Sequence, residues 1–291
     1  MGRDDQDTVR STAEEAPSGA GRRMPADGFI IPAMRVLVTG GTGALGREVV
    51  KALRRDGLSA RVLSRKAGTG DDWVQGDLAT GAGIDAAVAG VEAIVHAGSA
   101  TVQPWKYHQT DVVGTRLLLE AARKANVKHV VYVSIVGMEG VNYPYYKHKL
   151  ATEAVMRENI VPWSTLRATQ FHTLLELFLG GMSKLPGLAT VPYRWQFQPV
   201  DTGDVATRLV EVVSRPASGM LADFGGPEVR DFKNIAESWL KARKSKKRLV
   251  NLGLPMQFSR AFSEGRLLCP DHKDGKVTWE QFLERRYGKW S

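Results

Sequence analysis

The stretch that most constrains this chain is Val36-Leu37-Val38-Thr39-Gly40-Gly41-Thr42-Gly43-Ala44-Leu45-Gly46. The apolar run from Met34 to Val38 reads as a buried parallel strand. It breaks at a glycine cluster, and the stretch that follows places Val49, Val50 and Leu53 on one helical face. The sequence is thus strand, tight turn, helix, with Gly40, Gly43 and Gly46 at G-x-x-G-x-x-G spacing. Gly40 supplies the φ that a sharp turn needs. Gly43 leaves the backbone open to a pyrophosphate, and Gly46 lets helix and strand pack closely. Free amides at the positive end of the helix then face the anion. Thr42, Ala44 and Leu45 share this turn and count with the glycines as cofactor-binding candidates.

Beyond the turn, apolar strands alternate with helical periods. Ala60 to Leu63, Trp73 to Gln75, Ala93 to His96, Lys128 to Ser134 and Trp163 to Arg167 read as strands. Leu45 to Asp56, Ile84 to Ala89, Tyr107 to Ala125 and Pro144 to Glu158 read as helices. This alternation predicts an α/β fold, a doubly wound parallel sheet with helices on both faces. Its ligands lie at the carboxyl ends of the strands. After Arg167 the pattern loosens into a smaller, mostly helical region. It has helices at Phe171 to Met182, Thr202 to Ser214 and Phe232 to Ala242, extended chain from Ala189 to Val200, and short helical pieces around Met256 to Phe262 and Trp279 to Arg286. The predicted organisation is a tail over 1–33, a dinucleotide-binding core over 34–167 and a substrate-binding region over 168–291, part of which (about 198–225) returns to the core. The tail is rich in polar and small residues and has no signal-peptide core, so disorder is expected there.

The 291 residues carry 40 Lys and Arg against 31 Asp and Glu, a net charge of +9. Such a balance can serve nucleic acid or an anionic membrane, or a pocket for a phosphorylated cofactor. The densest positive run, Lys241 to Arg248, lacks the aromatic interleaving of a nucleic-acid surface and reads as a solvated helix end. Cys269 is the only cysteine, so no internal disulfide forms, and a reducing cytoplasm is expected. No Cys/His set has zinc spacing and no apolar run reaches membrane-spanning length.

Four strand ends carry the chemistry. At the second, where the adenosine ribose lies, a carboxylate would select NAD and a cation would accommodate the 2′-phosphate of NADP. Here the chain reads Val62-Leu63-Ser64-Arg65-Lys66, so Ser64 and Arg65 point to NADPH. After the third strand, Asp77 and Leu78 either contact the adenine or simply form a turn. The fourth ends in His96-Ala97-Gly98-Ser99, where the small Ala97 and Gly98 allow close approach of a cofactor. His96 itself reads as a packed, hydrogen-bonded residue. Ser134 ends the fifth strand. Two Tyr-x-x-x-Lys pairs follow it, Tyr143 with Lys147 and Tyr145 with Lys149. Pro144 keeps Tyr143 out of the helix. Tyr145 and Lys149 then stand one turn apart on one face. A nearby ammonium would lower the phenol pKa, Lys149 could also hold the nicotinamide ribose, and Ser134 could donate to a substrate carbonyl. Phe171, His172, Leu175, Phe178 and Trp195 are expected to form the substrate pocket.

Together, the glycine turn, Ser134 and Tyr145-x-x-x-Lys149 resemble the short-chain dehydrogenase/reductase superfamily, in a form closest to its atypical NmrA-like NAD(P)H-binding members. Asp111-Val112-Val113-Gly114-Thr115, Tyr132-Val133-Ser134 and Gln198-Pro199-Val200-Asp201 are similar to the same group. The resemblance implies a Rossmann fold, a nicotinamide cofactor, and Ser134, Tyr145 and Lys149 as catalytic residues of an oxidoreductase. Where many members carry Asn-Asn-Ala-Gly, this chain has His96-Ala97-Gly98. Some atypical members bind cofactor without turning over. Two functions therefore stand as expectations: an NADPH-dependent reductase of a small apolar carbonyl substrate, and an NADP-sensing regulator that contacts a partner.

Overall fold

A computed structural model of the chain describes residues 34–253 and 257–290. The expectation for a tail over 1–33 lies outside the described residues. In chain order the first half comprises β1 (Arg35–Thr39), α1 (Ala44–Arg55), β2 (Ser59–Ser64), β3 (Trp73–Gln75), α2 (Ile84–Val88), β4 (Ala93–His96), α3 (Gly114–Lys124), β5 (His129–Ile135), α4 (Pro144–Glu158) and β6 (Trp163–Ala168). Then come α5 (His172–Met182), β7 (Leu188–Val191), β8 (Gln196–Phe197), α6 (Thr202–Val213), β9 (Gly219–Met220), β10 (Arg230–Asp231), α7 (Phe232–Ala242), β11 (Arg248–Asn251), α8 (Gln257–Ser263) and α9 (Trp279–Tyr287).

Seven strands form a sheet in the order β3-β2-β1-β4-β5-β6-β9, and every pairing in it is parallel. This is the doubly wound order, with its switch point between β1 and β4. Central strands are β-branched and buried along nearly their whole length, as a sheet covered on both faces requires. Side chains alternate between the two layers. Val36, Val38, Val131 and Val133 meet α1 and α6 on one face. Leu37, Val130 and Tyr132 meet α2, α3 and α4 on the other. A third cluster, centred on Trp195, Phe197, Phe232, Trp239 and Trp279, fills the C-terminal region.

Two differences from the sequence reading have physical causes. The helix expected over 107–125 is broken by a π-helical turn at His108–Val113 before α3 begins. The wider turn lets Asp111 face inward, where its carboxylate accepts the Ala100 amide at 3.1 Å. The extended stretch over 189–200 is two strands, not one. β7 pairs in parallel with β11, and β8 pairs antiparallel with β10. Strands of two to four residues are too short to show a period of two.

Candidate active site

The glycine turn sits at the switch point, because Thr39 of β1 is in register with His96 of β4 and both strands release their loops side by side. Gly40 adopts φ +67°, and a Cβ there would lie 2.8 Å from the Ala97 carbonyl and the Gly98 Cα. At Gly46 a Cβ would come within 2.1 Å of the Gly40 carbonyl. Both positions therefore exclude a side chain. The first residue of α1 follows Gly43, which offers no side-chain cap, and no acidic residue lies in the first turn. Amides of that turn are left for an anion. An uncapped helix start behind an unobstructed glycine loop fits a pyrophosphate.

A cavity of about 670 Å³ opens from this turn, within the usual ~300–1,000 Å³ of ligand sites. Gly40, Thr42, Gly43, Ala44, Leu45 and Gly46 form one wall. Ser64 and Arg65 line it at the end of β2, followed by Asp77 and Leu78, then Ala97 and Gly98. Ser134, Tyr145 and Lys149 close the other end. The site residues named from sequence thus meet in one cavity. Among the described residues no carboxylate pairs with the exposed Arg65. Asp77 forms the turn, its Oδ1 accepting the Ala79 amide at 2.9 Å, and also lines the cavity.

Ser134 is in register with Arg167 of β6. Its Oγ is buried without a hydrogen-bond partner of normal geometry, although it lies close enough to Glu153 to help keep that carboxylate ionised. Tyr143 precedes Pro144 in extended conformation, outside α4, yet its ring still lines the cavity. The Tyr145 hydroxyl is 3.0 Å from Ser99 Oγ and 3.4 Å from Thr101 Oγ1. Burial pushes its pKa up to about 12 against the opposing effect of those two hydroxyls. The Lys149 ammonium donates to the Val133 carbonyl at 2.7 Å and lies 4.2 Å above the Tyr132 ring. Burial pushes its pKa down to about 8, opposed by the Asp111 and Glu153 carboxylates. The expectation that Lys149 lowers the Tyr145 pKa is corrected here. The lysine is turned to a backbone carbonyl and the phenol to Ser99, so desolvation governs both groups.

His96 is buried, with Nδ1 2.7 Å from Thr39 Oγ1 and Nε2 2.9 Å from Thr115 Oγ1. Burial, with a smaller contribution from Lys149, drops its pKa to about 3, so it stays neutral as a structural link between β1, β4 and α3. Glu153 is fully buried one turn beyond Lys149. Arg167 grips it with two bonds of 2.8 and 2.7 Å. Burial pushes the Glu153 carboxyl up, but the Arg167 and Ser134 hydrogen bonds and the charges of Arg167 and Arg157 hold it below the usual range.

The expected substrate pocket is corrected in part. Phe171 and Phe178 line the cavity, but His172, Leu175 and Trp195 do not. On α5 the positions 172, 175 and 179 turn into the core while 174, 177 and 178 turn to the cavity, as the helical repeat dictates. His172 lies against Trp279 and Phe282, with Nδ1 3.7 Å from Asp201 Oδ2. Trp195 stacks on Phe262 at 4.7 Å, and Phe262 reaches the cavity in its place. Phe262, Ser99, Thr101 and Asp111 were not named as site residues by sequence reasoning. The small-residue end of β4 hinted at Ser99, but nothing local to Phe262 marks it.

Most of the basic run is exposed, with Lys241, Lys244, Lys246 and Arg248 at the surface, as expected of a solvated helix end. Arg243 stacks on Trp239 and Tyr287 at 4.6 and 5.3 Å, and Lys247 donates to the Ser183 and Leu185 carbonyls at 2.6 and 2.7 Å. Among the described residues, no helix is long and apolar enough to cross a membrane.

Residues 36–158 match the NAD dependent epimerase/dehydratase family. Over 54% of its length the chain is 32% identical to a photosystem II assembly factor, Ycf39, of Trieres chinensis, and the match covers 53% of that protein. It is 26% identical to a ceramide reductase of Caulobacter vibrioides over 76% of this chain and 74% of the other. The chain spans about half the length of the first curated relatives it matches. Among solved structures, a short-chain dehydrogenase/reductase superfamily protein from Agrobacterium tumefaciens with bound NAD superposes with a TM-score of 0.65 at 22% identity, over 86% of this chain and 95% of that one.

Proposed function

We propose that the chain is a member of the short-chain dehydrogenase/reductase superfamily, as its match to the NAD dependent epimerase/dehydratase family supports, and that it is an NADPH-dependent reductase of a small, apolar carbonyl compound. The observation that carries this reading is the convergence of the glycine turn, Arg65, Ser134, Tyr145 and Lys149 on one cavity. Gly40 to Gly46 and the start of α1 would hold the pyrophosphate, and Ser64 with Arg65 the 2′-phosphate. When bound, the reduced nicotinamide supplies a hydride to the carbonyl carbon. Every other task falls to side chains. Ser134 donates to the carbonyl oxygen, turning its buried hydroxyl from the neighbouring Glu153 carboxylate to the substrate. Tyr145, neutral at pH 7, gives its proton to the same oxygen as negative charge develops there, and Ser99 holds the phenol oxygen in place. Lys149 keeps a positive charge beneath the site and can reach a ribose hydroxyl. An apolar substrate body is supported by Phe171, Leu174, Phe178 and Phe262 in the wall and by the ceramide reductase among the relatives.

A fluorescence titration with NADPH and NADH, paired with NADPH-oxidation assays on aliphatic ketones and enones, tests the reading. NADPH should bind more tightly than NADH. Arg65→Glu should weaken NADPH by about tenfold to a hundredfold, the value of one charge-assisted contact, and leave NADH nearly unchanged. Equal binding of the two cofactors by the native protein would remove the assignment of Ser64 and Arg65. A second reading, a cofactor-sensing protein without turnover, draws on the Lys149–Val133 and Tyr145–Ser99 contacts, which leave lysine and tyrosine apart, and on the assembly factor among the relatives. It predicts tight NADPH binding with no oxidation across the whole ketone panel.

A further inference from the structure

We infer that one arm of the cavity receives an unbranched aliphatic chain of the substrate, which runs along α5 and leaves the protein between Leu177 and Val102. This rests on the reductase reading for the carbonyl end but is carried by different residues. The α5 sequence His172-Thr-Leu-Leu-Glu-Leu-Phe is apolar on two sides. Leu175 and Leu179 belong to the core. Leu174, Leu177 and Phe178 line the cavity instead. Phe262, itself stacked on Trp195, is a further apolar part of the lining. None of these four side chains can donate or accept a hydrogen bond, and Thr173 is the one polar α5 residue that lines the cavity with them.

The arm ends at solvent. Leu177 is 56% exposed and Val102, on the loop after β4, is 64% exposed, and both line the same cavity that contains Tyr145 and Ser134. An exposed leucine alone needs no explanation. Two such residues from separate elements, both on the lining of a reactive cavity, offer apolar surface at its exposed edge, with Thr101, Gln103 and Lys106 beside Val102. An aliphatic chain anchored at its carbonyl covers both and is long enough to need no second polar contact. A short or polar-tailed substrate would leave the wall of Leu174, Leu177 and Phe178 wet.

The test uses the whole chain and a series of 2-alkanones from 2-butanone to 2-tetradecanone. Two readouts are taken: displacement of the fluorescent apolar probe N-phenyl-1-naphthylamine, and kcat/KM for NADPH oxidation. Affinity should rise by about fourfold per methylene at most, then flatten once the chain passes the rim. Leu177→Glu, which puts a charge at the exit, should flatten the slope for the long ketones. Leu185→Glu, equally exposed at 54% but outside the cavity lining, should keep the native slope. A chain-length slope in displacement without any NADPH oxidation would uphold the arm and end the reductase reading. NADPH oxidation that does not depend on chain length, or a slope unmoved by Leu177→Glu, would overturn the arm and leave the reductase reading standing.

Discussion

Buried beside Ser99, the Tyr145 phenol keeps its proton up to about pH 12, while Lys149, buried one turn later, loses its proton near pH 8. The two shifts have different consequences for rate. Tyr145 is in its proton-donating form throughout the neutral range, so it imposes no limb on carbonyl reduction there. Lys149 is cationic below about pH 8 and neutral above, so kcat/KM should be level below that value and decline as pH rises through it. A pH profile checks this, and Lys149→Arg, whose guanidinium stays charged, should remove the alkaline decline. An unchanged decline in that variant would assign the limb to another group. Tyr145 and Lys149 were legible in the sequence because Pro144 fixes where the helix starts. Ser99 and Thr101 were not legible as partners of Tyr145, because the contact depends on how the loop after β4 folds across to α4. The direction of the Tyr145 shift was missed for the same reason, since residue spacing shows neighbours along a helix and says nothing of burial.

One stripe of α4 carries Tyr145, Lys149 and Glu153 at successive turns, all buried: Tyr145 against Ser99 and Tyr107, Lys149 against β5 and Glu153 against β6. The first two face the cavity, and the third fixes the helix through Arg167. Removing one partner of a buried pair leaves the other charge poorly compensated, and Arg167 would keep only the exposed Glu139, at 2.6 Å. Glu153→Ala should therefore destabilise the fold by about 3 kcal/mol, the low end for a broken buried pair because Glu139 remains, as read by urea unfolding. Arg157→Ala removes a half-exposed partner of the same carboxylate and should cost about 1 kcal/mol or less. Equal losses from the two would mean that the Arg167 contact does not anchor α4. The βα turn makes a sharper demand. Gly46→Ala would drive a methyl group into the Gly40 carbonyl, and NADPH binding should be lost with the geometry of the turn. At this scale much was readable: β3, β4, α4 and α7 lie at the bounds the sequence predicts. The π-helical turn at His108–Val113 was not, because its side chains suit an ordinary helix and only the Asp111–Ala100 contact requires the wider turn.

The parallel sheet with helices on both faces follows from the alternation of strand and helix, which long buried strands such as β5 announce plainly, while the strand order and the switch point come from the structure. The C-terminal region was less readable because its core is assembled from distant aromatic residues, with Trp195, Phe232 and Phe262 meeting across long separations. The fold also carries a pH signature. His96, neutral in the folded state down to about pH 3, takes up a proton near 6.5 once unfolded. The unfolded chain therefore binds more protons between those values, and the His96 contribution to stability is complete above pH 6.5 and lost progressively toward pH 3. Melting temperatures recorded from pH 7.5 to 4.5 should fall, and His96→Gln should be less stable at pH 7.5 with a shallower acid decline. A parallel decline in that variant would place the acid sensitivity elsewhere. The central claim is that a single cavity both binds the cofactor and performs the chemistry through Tyr145. It is tested most directly by measuring NADPH affinity and single-turnover NADPH oxidation side by side in the native protein, Tyr145→Phe and Tyr143→Phe. The account predicts native NADPH affinity in Tyr145→Phe, with oxidation reduced by about 10²–10⁴-fold, and near-native oxidation in Tyr143→Phe. Oxidation that survives in Tyr145→Phe, or collapses in Tyr143→Phe alone, would contradict it.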